Sequence, residues 1–445
     1  MNVLLYRFLS AAALTAYVPY AAVRSLTGRR KLGDLRGRLG RSPYPDLAGG
    51  LWVHAVSVGE VGVARNLLAE LARSAPGRRF GLSVTTAAGR ELAQRTLPHD
   101  VAVFAFPFDL AGPVERALDG VRPGLVLLTE TELWPLFLDR ARSRGIPVAL
   151  VNGRLSDRSF PRYRLVRRFF KRSLDAIALF AMQSPEDAAR LEALGAPRDR
   201  IRVCGNIKYD LPPAAPFPDA PRLRELAAGR PVFVAASTGE GEEDIVLDAF
   251  RPVSGRALLA IAPRRPERFS PVASLIEKAG FSVVRRSSSD PIQNPKLVLR
   301  SEALLRRGAS EIRNPPVYLL DTIGELASLY REARLAFVGG SLTPAGGHNP
   351  IEAWAQGVPV VVGPHTQNFR DVTAQGQKRG FLTRVFDGAG LQRAFASALG
   401  APSGLESAGR RALEFVAGNR GAAQTTAEAV LALLPGTAPH RAAAP

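Results

Sequence analysis

The sequence predicts an α/β protein built as two doubly wound, Rossmann-like domains, and three observations carry that prediction. Short apolar runs alternate with helical patterns, which is the signature of parallel strands covered by helices. The alternation occurs twice, on either side of the proline-rich stretch Leu211-Pro-Pro-Ala-Ala-Pro-Phe-Pro218. Several runs also end in glycine turns that open helices, the usual place for a ligand crevice in such a sheet. With 445 residues, 46% of them hydrophobic and 22% charged, the chain can bury large cores.

In the first half the candidate strands are Leu51 to Val56, Phe80 to Thr85, Val101 to Phe106, Leu125 to Leu128, Val148 to Val151, Ala176 to Met182 and Ile201 to Cys204. In the second they are Val232 to Ala236, Ala257 to Ala262, Phe281 to Arg285, Val317 to Leu320, Leu335 to Val338 and Val358 to Val362. The proline stretch is read as the linker, 211–220, between a domain over 31–210 and a domain over 221–434. A polar, proline-interrupted excursion is expected from Ser287 to Pro316, and a disordered tail over 435–445.

The N-terminal segment, Val3 to Val23, is apolar but contains Arg7 and Pro19. Its basic flank, Arg24 to Arg41, follows it, whereas a secretory signal carries its charges first. Residues 1–30 are therefore expected to be a membrane anchor or interfacial helix, with the body of the chain on the cytoplasmic side.

A net charge of +19 calls for an anionic partner. The second basic cluster lies between Arg154 and Arg172, where Arg162, Arg164, Arg167 and Arg168 mix with Tyr163, Leu165, Val166, Phe169 and Phe170. This is read as a face for an anionic membrane surface, against the alternative of a solvated helix. No groove-entering helix module or stacking motif is visible, so nucleic acid is not expected as a partner. Cys204 is the single cysteine, which excludes an internal disulfide. The five histidines show no metal-ligand spacing and no Asp-x-Asp pair occurs, so neither a metal nor another cofactor is expected.

Two places concentrate candidate chemistry. In Leu51-Trp-Val-His-Ala-Val-Ser-Val-Gly-Glu60 a strand breaks and leaves one carboxylate at the start of a helix. Glu60 reads equally as a catalytic base or as a helix cap, and local pattern does not choose. In the second half, Phe337-Val-Gly-Gly-Ser341 ends a strand at Gly339 and Gly340, and Gly346-Gly-His-Asn-Pro-Ile-Glu352 leads into a helix. That pattern predicts a phosphate seat, with Glu352 on ribose hydroxyls. The turn Ala235-Ala-Ser237-Thr-Gly-Glu-Gly-Glu242 and the cation Arg264 are expected at the same ligand, and together they favour a nucleotide.

The chain resembles the Kdo transferases of lipopolysaccharide assembly, which move 3-deoxy-D-manno-octulosonic acid (Kdo) from CMP-Kdo to a lipid A precursor. The resemblance runs from the basic N-terminal segment to about residue 430. Its carriers are Ser57-Val-Gly-Glu60, Glu130-Thr-Glu-Leu-Trp-Pro135, Asn152-Gly-Arg-Leu-Ser156, Gly205-Asn-Ile-Lys-Tyr-Asp210, Ser237-Thr-Gly-Glu-Gly-Glu242, Pro263-Arg-Arg-Pro-Glu-Arg-Phe269, Asp321-Thr-Ile-Gly-Glu325 and the motifs from Gly339 to Glu352. It implies a metal-independent, inverting GT-B glycosyltransferase on the cytoplasmic face of the bacterial inner membrane. The N-terminal domain would bind the acceptor and the C-terminal domain the donor, with catalysis in the cleft.

The same resemblance assigns Glu60 as general base and Glu130 as a second acidic residue of the site. It directs Lys208, Arg264, Asn349 and Glu352 to the donor. Family members commonly carry histidine where Gly239 and Arg265 stand here, so those two positions depart from the pattern. A GT-B enzyme using another nucleotide sugar on a membrane lipid is the alternative, because fold alone does not fix chemistry.

Overall fold

The computed structural model describes residues 35–155, 159–288 and 315–434. The expected N-terminal helix, most of the 287–316 excursion, Ser156 and the C-terminal tail lie outside the described residues. Among those that are described, no helix is long and apolar enough to cross a membrane.

The chain forms two compact units, one of residues 35–210 with 419–434, the other Leu211–Gly418. The first contains β1 (Leu51–Ala55), β2 (Phe80–Val84), β3 (Ala102–Ala105), β4 (Leu125–Thr129), β5 (Val148–Gly153), β6 (Leu179–Met182) and β7 (Ile201–Val203). They lie in the order β3-β2-β1-β4-β5-β6-β7, and every pairing is parallel. Strand order thus reverses between β1 and β4, the position where a doubly wound sheet opens a crevice at its carboxyl edge.

The near-continuous apolar runs are explained by burial on both faces of the sheet. On one face Leu51, Val53 and Ala55 pack with Val63, Leu67 and Leu71 of the helix Val58–Ser74. On the other, Trp52 meets the rings of Phe104, Phe106 and Phe137 at 5.2 to 5.9 Å between centroids. His54 lies inside this apolar layer, stacked on Phe106 at 3.8 Å. Burial lowers its pKa to about 3, so it is a neutral core histidine. The run expected from Ala176 becomes a strand only at Leu179, because Arg167–Ala176 is helical.

The second unit contains β8 (Val232–Thr238), β9 (Leu258–Pro263), β10 (Ser282–Arg285), β11 (Pro316–Leu319), β12 (Ala333–Val338), β13 (Val360–Val362) and β14 (Leu382–Arg384). Its order is β10-β11-β9-β8-β12-β13-β14, again wholly parallel. Here the reversal falls between β8 and β12. The three-residue β14 has no counterpart among the predicted strands.

The span 221–434 expected for the second domain is interrupted at Gly418. The cause is the helix Ala422–Leu431, whose Ala422, Ala427, Val430 and Leu431 join the core around Leu51 and Leu67 of the first unit. Asp210, the last residue before the chain leaves that unit, fastens the returning helix. Its carboxylate accepts from the Gly421 and Ala423 N–H groups, each at 2.6 Å. Asp210→Ala is therefore expected to cost about 1–2 kcal/mol of stability, the usual loss for a helix N-cap, read as a lower urea midpoint. An unchanged midpoint would show that the alanine-rich helix face holds the return by itself.

Candidate active site

Ser57 caps the Val58–Ser74 helix, accepting from the Glu60 N–H at 3.4 Å. Glu60 turns its side chain back over this cap, so the Ser-x-x-Glu spacing forms a reciprocal arrangement close to a capping box. Its Oε1 accepts from the Ser57 hydroxyl and its Oε2 from the Val56 N–H, both at 2.9 Å. The Thr129 hydroxyl, at the end of the neighbouring β4, lies 2.9 Å from the same Oε2. The carboxylate is 7% exposed. Its pKa is raised, first by burial; the Val56, Ser57 and Thr129 hydrogen bonds act against this, and the Glu130 charge adds to it. Glu60 is thus part of the helix cap and also a carboxylate with increased proton affinity at the strand-order reversal.

Glu130 begins the turn after β4 with φ of +56°, a left-handed conformation that is uncommon for a residue with a side chain. Its N–H donates to the Val151 carbonyl at 2.8 Å. Its side chain receives Lys208 Nζ at 2.8 Å. Lys208 is brought there by a short helical turn, Ile207–Tyr209, whose first N–H donates to the buried Asn152 Oδ1 at 3.0 Å. Lys208, expected among the donor residues, lies in the first unit, ion-paired to Glu130 on a turn that Asn152 fixes. Glu132, two residues further on, has its pKa raised to about 7 by burial and then by the charges of Glu60 and Glu130. Three carboxylates thus share one neighbourhood, with the Lys208 ammonium bonded to the middle one.

In the second unit, Ser237, Arg264, Gly339 and Gly340 lie at the carboxyl ends of β8, β9 and β12. Gly339 is required by close packing, since a Cβ there would stand 2.7 Å from the Ser237 carbonyl oxygen. The N–H groups of the first glycine turn are engaged within the chain. The fully buried Glu242 accepts from the N–H groups of Gly239, Gly340, Ser341 and Leu342 at 2.6 to 2.9 Å. The Gly339 N–H is spent on the Ala236 carbonyl. An intramolecular carboxylate therefore occupies the N–H groups of this turn, whereas the expected phosphate seat lies at the start of the helix Ile351–Trp354, where Asn349 takes the Ile351 N–H.

Beside this turn His348 is held at a pKa of about 4, by burial first and then by the charge of Arg264, with Arg265 adding to it and Glu242 opposing. Asn349 stabilises the next turn, its Oδ1 accepting from Ile351 N–H at 3.1 Å and its Nδ2 lying 3.4 Å from Glu352 Oε1. Arg264 and Arg265 are the cationic side chains whose charge reaches this edge.

The basic cluster forms two helices, Phe160–Leu165 and Arg167–Ala176. Arg162, Arg164, Arg167 and Arg168 are all exposed, and Leu165 between them is 87% exposed. Tyr163 and Phe170 pack against each other at 5.5 Å.

Three residues of these sites escaped the sequence reading: Thr129, Glu132 and Glu242. Glu132 was visible only as the second carboxylate of Glu-Thr-Glu. Glu242 was indistinguishable from Glu240 until the helix phase turned it inward. Among the described residues no group of three or more His, Cys, Asp and Glu side chains is placed to hold a metal ion.

Comparison with known proteins gives a consistent result. A family model described as 3-Deoxy-D-manno-octulosonic-acid transferase (kdotransferase) matches residues 33–211. The chain is 32% identical over 423 residues to the 3-deoxy-D-manno-octulosonic acid transferase of Haemophilus influenzae, covering 92% of this chain and 93% of that protein. It is 34% identical over 411 residues to the enzyme of the same name from Bordetella pertussis, covering 88% and 90% respectively. The crystal structure of UDP-GlcNAc 2-epimerase from Neisseria meningitidis, 13% identical, aligns over 86% of this chain and all of that one with a TM-score of 0.53, a likeness of fold alone.

The Glu132 shift has a stability consequence of definite sign. Its folded-state pKa of about 7 lies above the ordinary 4.5, so the folded protein prefers the protonated form. The associated stability is complete below pH 4.5 and is lost as pH rises through 7. Glu132→Gln mimics the protonated form. It is expected to raise the Tm at pH 8 by roughly 2–4 °C and to leave it nearly unchanged at pH 4.5. A shift equal at both pH values would trace the effect to packing instead.

Proposed function

This chain belongs to the 3-deoxy-D-manno-octulosonic acid transferase family of GT-B glycosyltransferases, and from that premise we propose that it transfers Kdo from CMP-Kdo to a lipid A precursor. The observation that carries the reading is Glu60. It is fixed by hydrogen bonds at the head of the central strand, is more basic than an ordinary carboxylate, and keeps acceptor capacity on Oε1, which takes only the Ser57 hydroxyl.

In the proposed reaction an acceptor sugar hydroxyl approaches Glu60, which removes its proton as the oxygen attacks the anomeric carbon of Kdo. The bond from that carbon to the phosphate oxygen breaks, and CMP departs with the electron pair. Attack opposite the leaving group inverts configuration. The departing phosphate gains charge, and a guanidinium already in position meets that charge without reorganisation. Arg264 is the proposed group, with Ser237, Gly339, Gly340, Asn349 and Glu352 shaping the donor site. Glu130 is proposed to keep Lys208 beside the acceptor, which supplies a cation for a phosphorylated sugar.

A lipid acceptor also explains the exposed arginines. We assign the Arg162, Arg164, Arg167 and Arg168 face to the anionic surface of the cytoplasmic leaflet of the inner membrane. Each basic residue near such a surface contributes about 1 kcal/mol. Replacing Arg164, Arg167 and Arg168 together by glutamate should therefore weaken binding to anionic liposomes by about 100-fold or more at low salt. Unchanged flotation with those vesicles would overturn the assignment.

The base is tested by transfer of labelled Kdo from CMP-Kdo to lipid IVA in detergent, with chelator present. Glu60→Gln is expected to lower the rate by about 10²–10⁴-fold, the usual range for a lost general base, while CMP-Kdo binding is retained. A fully active variant would leave Glu60 as a helix cap only. Wild-type protein inactive with CMP-Kdo but active with another nucleotide sugar would favour the alternative donor.

A further inference from the structure

We propose that Thr129 is a positioning residue for Glu60, its hydroxyl proton alternating between Glu60 Oε2 and the His54 carbonyl as the carboxyl loses and gains its proton. The inference rests on the reading of Glu60 as the base.

Its ground is a conflict of hydrogen bonds. The pairing of β1 with β4 ends at His54 opposite Leu128. One residue on, Thr129 Oγ1 lies 2.8 Å from the His54 carbonyl oxygen and 2.9 Å from Glu60 Oε2. Thr129 is fully buried and Glu60 nearly so, so water does not relieve the arrangement cheaply. A hydroxyl donates one proton at a time, and a carbonyl accepts only. If the proton points to His54 while Glu60 is ionised, two lone-pair oxygens face each other at hydrogen-bond distance. If it points to Glu60, the His54 carbonyl loses this donor.

Each protonation state of Glu60 selects one orientation. Ionised Glu60 takes the Thr129 proton, adding to the Val56 and Ser57 donors. A proton taken on Oε1 leaves Oε2 a neutral and weaker acceptor, and Thr129 then turns its own proton onto the His54 carbonyl. A base must be accommodated in both states, and rotation about one side-chain bond accomplishes this without moving the backbone. The rest of the surroundings offer no such exchange. Glu130 and Glu132 are carboxylates that oppose ionisation of their neighbour, Lys208 is engaged by Glu130, and the His54 ring nitrogen Nδ1 is directed at Ser83.

Thr129→Val keeps the shape and the strand preference but removes the hydroxyl; Thr129→Ser keeps the hydroxyl. Ionised Glu60 then lacks one donor, so its pKa rises and the acidic limb of the kcat profile moves to higher pH. For Thr129→Val the limb is expected to move up by about one pH unit, so that kcat measured on that limb falls by about tenfold. KM for CMP-Kdo and for lipid IVA should stay within about twofold, and Thr129→Ser should recover most of the loss. Equal losses in the two variants, or a lost kcat with an unmoved limb, would overturn the proposal in favour of packing. An inactive Glu60→Gln beside an unaltered Thr129→Val would overturn it while sparing the base. A fully active Glu60→Gln would remove both.

Discussion

The reversal of strand order at the centre of each parallel sheet is the constraint on which the rest of this protein depends. Neighbouring crossovers leave in opposite directions there, so the carboxyl edge opens and backbone groups are left without ladder partners. Each unit meets that condition with a glutamate from the helix that follows its first strand. Glu60 follows β1 and Glu242 follows β8. The two carboxylates are used differently. Glu242 accepts from four backbone N–H groups and is wholly enclosed, so it is spent as a structural anion. Glu60 accepts from one backbone N–H and adjacent hydroxyls, a softer set that leaves it able to exchange a proton.

That difference separates two readings that local sequence could not. A Ser-x-x-Glu pattern states that a carboxylate returns to the helix start, and Glu60 does so. Its burial among Thr129, Glu130 and Glu132 comes from β4, about seventy positions away by the numbering of the contact, and no local pattern encodes it. Capping and the proposed catalytic role are compatible because the cap fixes the carboxylate while burial, with the Glu130 charge adding to it, makes it more basic.

Most strands were legible because a parallel strand buried on both faces leaves a continuous apolar run, as at Leu51–Ala55 and Leu125–Thr129. What was not legible is long-range or lacks such a run. The strand Leu382–Arg384 is three residues long and ends in a charge. The helix Ala422–Leu431 has an alanine-rich face that would suit either unit, and only Asp210 and the Leu51–Leu67 core identify its partner. At the turn after β12, the glycines were read as letting the backbone approach a ligand, and Gly340 N–H meets a carboxylate of the chain itself. The approaching group is Glu242 of the same chain, and which of two nearby glutamates turns inward depends on helix phase. The pairing of Lys208 with Glu130 was hidden for a related reason: its turn is fixed by Asn152, a left-handed residue on β5 whose role emerges only in three dimensions.

The filled turn has a consequence for how an anionic donor is held. With the Gly340, Ser341 and Leu342 N–H groups engaged by Glu242, a donor phosphate proposed at this turn would draw on side chains, and the charges of Arg264 and Arg265 act there on His348. The same charges, together with burial, keep His348 neutral, so at physiological pH the imidazole offers one donor and one acceptor rather than a further cation. This edge thus brings a fully buried carboxylate, two guanidinium groups and a neutral histidine within electrostatic reach of one another. A ligand that brings its own negative charge would suit the guanidinium groups, of which Arg265 already lies 3.9 Å from Glu267. The proposed preference for a charged donor therefore rests on Arg264, with Glu242 holding the Gly340 to Leu342 N–H groups for the fold itself.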